Sequence, residues 1–277
     1  MGKIRTYMKA LLPLLLFFIL EFFAVTVITA IFISISVPYE EPQYQLVMLA
    51  ASNMLAICVM GWWYYFSVAD SQERRRGSSR KSLGLRGVGG VVLLALGTQL
   101  LAGLLLALWN LFAPGMTADY GQLLAGAGVM ESNALSALVT VALGPLWEEL
   151  VFRGLMMEYL RRAGVGLWKA NMIQALLFGL LHANLVQGSY AWLLGIALGY
   201  IVWKCGALFP GIFMHVIFNA YGMIEPLLLE RIFGPELTTG ALVLYGVVSG
   251  AAGAALGLCG LKLLQGAVLQ KNAEETE

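Results

Sequence analysis

The sequence predicts an all-α, polytopic membrane protein of about eight transmembrane helices with both termini in the cytosol. Three observations predict it. First, 60% of the 277 residues are hydrophobic and 12% are charged, with a mean hydropathy of +0.80; soluble domains carry about a quarter charged residues. Second, the apolar residues come in runs of the ~20 residues that a bilayer crossing needs. Third, the basic residues segregate. With a cytosolic N-terminus and eight alternating spans, 15 of the 17 Lys and Arg fall on the cytosolic side, as the positive-inside rule requires. Arg231 lies on the other side and Arg153 within the membrane. The net charge is only +1, and no basic surface suited to nucleic acid is expected.

The first span, 10–36, contains Glu21, and its apolar run from Leu11 to Ser36 is too long for a signal-peptide core. Gly2 and Thr6 fit a loose myristoylation pattern, but the adjoining helix already anchors the chain. The second span, 44–68, ends in Trp62-Trp63-Tyr64-Tyr65, an interfacial aromatic belt. The next six are 88–112, 132–160, 168–183, 190–204, 209–229 and 238–264. In the last, Gly246 and Gly250, then Gly253 and Gly257, keep the four-residue spacing that lets helices approach closely. A charged tail, 271–277, is expected to fray. Cys58, Cys205 and Cys259 sit in apolar segments without CxxC spacing and read as small core residues. No internal repeat divides the chain. It reads as a single integral membrane domain, 1–277, with a motif-bearing core at about 132–225.

The fourth span carries Glu148-Glu149-Leu150-Val151-Phe152-Arg153-Gly154. Ionisable groups at bilayer depth cost a few kcal/mol by insertion scales and usually face a bundle interior or a cavity. Glu149 and Arg153 are four apart with the acid first, the favourable order for a helical ion pair. Glu148 lies about 100° round the helix. The spacing therefore predicts a structural role for Glu149 and a chemical one for Glu148. Gly144-Pro145 just before them predicts a kink, which either opens room beside Glu148 or serves packing alone.

Both histidines lie in later spans, in Phe178-x-x-x-His182 and His215-x-x-x-Asn219. At 1.5 Å per residue, Glu148 is roughly 20 Å from Arg161, and His182 is about the same distance from Lys169. By the same measure His215 and Asn219 are roughly 16 and 22 Å from Lys204. All four thus reach the middle of a hydrocarbon core about 30 Å thick. Polar residues at one depth can simply be interhelical hydrogen bonders, the reading given to Asn171 and Gln174; Trp147 reads as packing. Two acids, an arginine, two histidines and an asparagine together point instead to an intramembrane active site.

The ordered set Glu-Glu-x-x-Phe-Arg-Gly, Phe-x-x-x-His and His-x-x-x-Asn, from about Pro145 to Asn219, resembles the CPBP family. These are the CAAX proteases and bacteriocin-processing enzymes, or Abi proteins, including the type II CAAX prenyl endopeptidase. The resemblance implies a metal-independent intramembrane glutamate protease. Glu148 would activate water, His182 would help hold it, His215 and Asn219 would form the oxyanion hole, and Glu149 and Arg153 would organise the site. Peptide hydrolysis needs such a base and donors aimed at the developing oxyanion. No cofactor or metal is expected. The expected partners are a peptide or membrane-protein substrate and the bilayer, with no nucleic acid, in a bacterial-type plasma membrane. Three alternatives compete: a zinc protease using Glu148, His182 and His215, a non-proteolytic scaffold or bacteriocin-immunity protein, and a proton-coupled carrier. The absence of HExxH spacing weighs against the first, and the absence of repeats against the last.

Overall fold

The computed structural model describes residues 2–69, 84–130, 133–234 and 238–274. Among them the chain is a series of helices joined by short turns and has no strand. The helices are α1 (Gly2–Ser34), α2 (Pro42–Ala69), α3 (Gly84–Phe112), α4 (Pro114–Gly126) and α5 (Ala134–Arg162). They continue with α6 (Leu167–Leu181), α7 (Leu185–Cys205), α8 (Phe209–Phe233) and α9 (Thr239–Glu274). Seven are long and apolar enough to cross a membrane, which makes this an all-α polytopic membrane fold.

Two elements differ from the sequence reading. The fifth expected span is α6, only 15 residues long. At 1.5 Å per residue it covers about 22 Å, short of a core about 30 Å thick. Between the third and fourth spans, α4 is a helix of 13 residues with no buried residue, too short to cross and not expected from the sequence. The expected frayed tail lies in part outside the described residues, with α9 running to Glu274.

The chain forms two compact units. The first takes Met1–Ser79 and Gly121–Gln174. In it α1 and α2 pack on each other and on α5, with Leu46 and Ala50 of α2 set against Val139 of α5. Phe17 of α1 stacks on Trp147, ring centroids 3.8 Å apart and planes 5° from parallel, so Trp147 is a packing residue. Gly154 admits the ring of Tyr64: a methyl there would fall 2.9 Å from Tyr64 Cδ2. The aromatic belt of α2 therefore divides. Trp62 and Tyr65 are exposed, while Trp63 Nε1 donates to Tyr159 OH at 2.9 Å. The outward face of α1, with Phe22 75% exposed, is apolar as a lipid-facing surface must be.

The second unit takes Arg80–Tyr120 and Ala175–Glu277. Here α3 packs on α7, α8 and most extensively α9. The α3–α9 seam is antiparallel and nearly free of side chains. A methyl at Gly97 would lie 2.8 Å from Gly253 O, and one at Gly260 would lie 2.8 Å from Gly90 O. Lipid is as apolar as leucine, so helices in a bilayer associate through such close backbone approach. A second seam joins the end of α6 to α7, with Gly179 against Gly188 and Gly195 against Ala175.

Candidate active site

The first unit holds Glu148, Glu149 and Arg153 on α5. This helix is irregular: Leu138–Leu143 and Leu150–Met156 are π-helical, with α-helical Gly144–Glu149 between them. The first wide turn has a local cause. Pro145 cannot donate a backbone hydrogen bond and its ring crowds the carbonyl a turn earlier. Gly144 N–H reaches back five residues to Val139 O, and the widened turn accommodates the proline. The second begins directly after Glu149, and Met157 N–H closes it on Phe152 O. Such bulges are frequent at functional sites.

Across that second bulge Arg153 Nη1 donates to Glu149 Oε1 at 2.7 Å, with both side chains wholly buried. The expected ion pair is present. Glu148, one residue earlier, is only half-buried. Adjacent acids on one helix therefore differ in exposure: Glu149 is wholly buried with Arg153, and Glu148 is half-buried. At the far end of α5, Glu158 accepts from Arg161 and Arg162, and Arg162 Nη2 also donates to Ser67 O of α2 at 2.9 Å. This pins the two helix ends together. Asn171 and Gln174, on the first part of α6, are buried and bond to each other, Gln174 Nε2 donating to Asn171 Oδ1 at 2.6 Å.

The second unit holds His182, His215 and Asn219. His182 is the residue just past the end of α6, not a mid-helix residue. His182 N–H and Ala183 N–H close short turns on Gly179 O and Leu180 O. Ala183 takes φ 51°, a left-handed conformation that costs a non-glycine residue roughly 1–2 kcal/mol. Asn184 then caps α7 by accepting from Gln187 N. An asparagine ahead of an apolar run is an N-cap signal that would have located this boundary in the sequence.

His182 Nδ1 lies 2.9 Å from Phe178 O. A carbonyl only accepts, so Nδ1 carries the hydrogen, and in the neutral ring Nε2 is the unprotonated nitrogen. Phe178 also organises the second imidazole. Its ring meets His182 at 90° with centroids 5.1 Å apart, and His215 at 88° with centroids 5.9 Å apart. Both are edge-to-face contacts of the kind aromatic rings prefer. Gly195 of α7 leaves the room: a methyl there would come 2.9 Å from Ala175 Cα and 3.3 Å from Phe178 Cδ1. The phenylalanine of Phe-x-x-x-His is thus the wedge that spaces two histidines from different helices. His215 is buried, and Asn219 follows one turn along α8, half-buried.

Fold and side chains together define a class: a multi-pass membrane protein with a carboxylate, an imidazole and an amide on its spanning helices and a second imidazole at the end of a short apolar helix. Residues 130–221, about a third of the chain, match the family model described as Type II CAAX prenyl endopeptidase Rce1-like. The matched segment contains Glu148 to Asn219, the stretch that carries the three motifs, and supports a likeness to the CAAX protease family. No curated protein and no solved structure matched the chain.

Proposed function

We propose that this protein is a glutamate-type intramembrane endopeptidase. Glu148 draws a proton from water, which attacks the scissile carbonyl, and gives that proton to the leaving amine as the C–N bond breaks. His182 holds that water, and His215 with Asn219 donates to the oxyanion. The Glu149–Arg153 pair fixes the segment of α5 that presents Glu148. The reading takes the two sets of residues as one catalytic group because their motifs follow in order within the matched segment. The observation that supports it most is the contrast between the wholly buried, ion-paired Glu149 and its half-buried neighbour Glu148. A base needs access to water, and a structural acid does not.

The state of His182 suits this role, since an unprotonated Nε2 accepts a hydrogen from the water it holds. It also suits a second reading. Metal-ligating histidines characteristically donate their other ring hydrogen to a carbonyl or carboxylate, as Nδ1 does to Phe178 O. A zinc protease using Glu148, His182 and His215 is the alternative on that ground, but no three histidine, cysteine, aspartate or glutamate side chains among the described residues are grouped to hold a metal ion.

For substrate, the family's description points to a prenylated C-terminal peptide. We place the protein in a bacterial-type plasma membrane, and both termini in the cytosol from the distribution of basic residues; the second placement needs α6 to complete an eighth crossing beside the seven helices of spanning length. The test is cleavage of a farnesylated CAAX peptide and its unlipidated counterpart by purified enzyme treated with a strong chelator. Unchanged cleavage is expected. Cleavage abolished by chelation and restored by zinc would replace the mechanism with the metal reading.

A further inference from the structure

Glu225 lies beyond His215 and Asn219 on α8 and belongs to neither motif. It is 6% exposed within a membrane-capable helix, and both of its oxygens accept a hydrogen bond. Gln99 Nε2 of α3 donates to Oε2 at 2.9 Å, and Tyr245 OH of α9 donates to Oε1 at 2.6 Å. One acid so joins three helices. Donors on both oxygens hold the carboxylate as an acceptor. Gln99 is itself 5% exposed, and its Oε1 is buried with no hydrogen-bond partner among the described residues. Beside the Glu225 carboxylate this corner thus keeps a second buried acceptor, this one without a donor.

Beside it is a cavity of about 280 Å³ whose wall includes Tyr221, Glu225, Leu228, Ile232, Tyr245 and Val248. Small-molecule pockets start near 300 Å³, so the space suits one slender ligand. Among the described residues no lysine, arginine or histidine lines it. The rim faces lipid, with Ile232 69% and Val248 56% exposed. A ligand that arrives from the bilayer and satisfies this wall needs an apolar chain. To satisfy the carboxylate it needs a head that both donates hydrogen bonds and carries positive charge. An alcohol would supply the donor without the charge, and a fatty acid would add a like charge.

We propose that the Glu225 cavity binds a single-chain amphiphile with a protonated amine head, the chain lying between α8 and α9 and the ammonium on the Glu225 carboxylate. None of the residues assigned to proteolysis lines this cavity, so the two proposals stand or fall separately.

The experiment uses the full chain in phosphatidylcholine nanodiscs, a photoreactive alkylamine, and dodecylamine, dodecanol and dodecanoate as competitors. Labelling of empty nanodiscs is subtracted. Label should map to α8 and α9, and dodecylamine should compete about tenfold or more better than dodecanol or dodecanoate, the margin of a charge-assisted bond. Glu225→Gln, and Leu228→Trp, which fills the cavity and leaves the carboxylate in place, should each weaken dodecylamine by about tenfold or more. If a variant does not fold, the ranking of the three competitors on wild-type protein decides. Competition by dodecanol or dodecanoate equal to that by dodecylamine, or equal binding by Leu228→Trp, would overturn the proposal.

Discussion

Replacing Arg153 with alanine tests the division of labour on α5 through stability. The guanidinium donates to Glu149 at 2.7 Å with both side chains at 0% exposure. Its loss leaves Glu149 as a buried carboxylate without its arginine. Removing one partner of a buried pair costs about 3–5 kcal/mol, a large share of the roughly 5–15 kcal/mol that holds a domain together. For a chain of this size that corresponds to a fall in Tm of about 5 °C or more. Thermal unfolding of purified protein in detergent, followed by loss of monodispersity, reads the effect. Charge, rather than packing alone, is isolated by a second construction. Glu149→Gln combined with Arg153→Met keeps volume and removes both charges, so it should recover most of the lost stability. A Tm for Arg153→Ala equal to wild type would refute the assignment of this pair as the structural element.

Gly195→Ala should push α7 away from Ala175 and Phe178, and so disturb the ring that spaces the two histidines; with the methyl 2.9 Å from Ala175 Cα, the variant should lose both Tm and activity. Unaltered activity would show that Phe178 is core packing only. Topology is open to reporter fusions: reporters after Ser36 and after Lys271 should give opposite signals, and same-side signals would remove the eight-span alternation. A further fusion between Ala183 and Asn184 asks whether the short helix α6 reaches the far surface.

The sequence made the long spans legible because run length and charge asymmetry are properties of the chain itself. The Glu149–Arg153 pair was legible for the same reason, since four-residue spacing brings side chains together even where the helix widens. The widening was not: nothing in Leu150–Met156 distinguishes a π from an α turn, although Pro145 explains the earlier one. The sequence puts His182 inside a span; it lies just past the end of the short helix α6, and the Asn184 cap is the signal that marks this boundary. The helix α4 escaped because its 13 residues, bounded by Pro114 and Gly126, fall below spanning length. Glu225 was missed for a different reason. Its partners Gln99 and Tyr245 are 126 and 20 residues away, and no local pattern announces a contact of that range. Phe178 was legible as a face-mate of His182, but its contact with His215 depends on the packing of α6 and α8.

The central claim is that Glu148 performs the chemistry, and the most direct measurement is the rate of peptide cleavage by purified Glu148→Gln against wild type. Glutamine keeps the size and polarity of the side chain and removes the base. The variant should fold with a wild-type Tm and lose about 10²–10⁴-fold in rate, the contribution of general-base catalysis, whereas Asn219→Ala should lose about 10²–10³-fold through one oxyanion donor. In membranes, the new peptide termini generated by the wild-type protein should be absent when Glu148→Gln replaces it. Full cleavage by a folded Glu148→Gln protein would contradict the account, because every proteolytic reading of this chain places that carboxylate at the reacting bond.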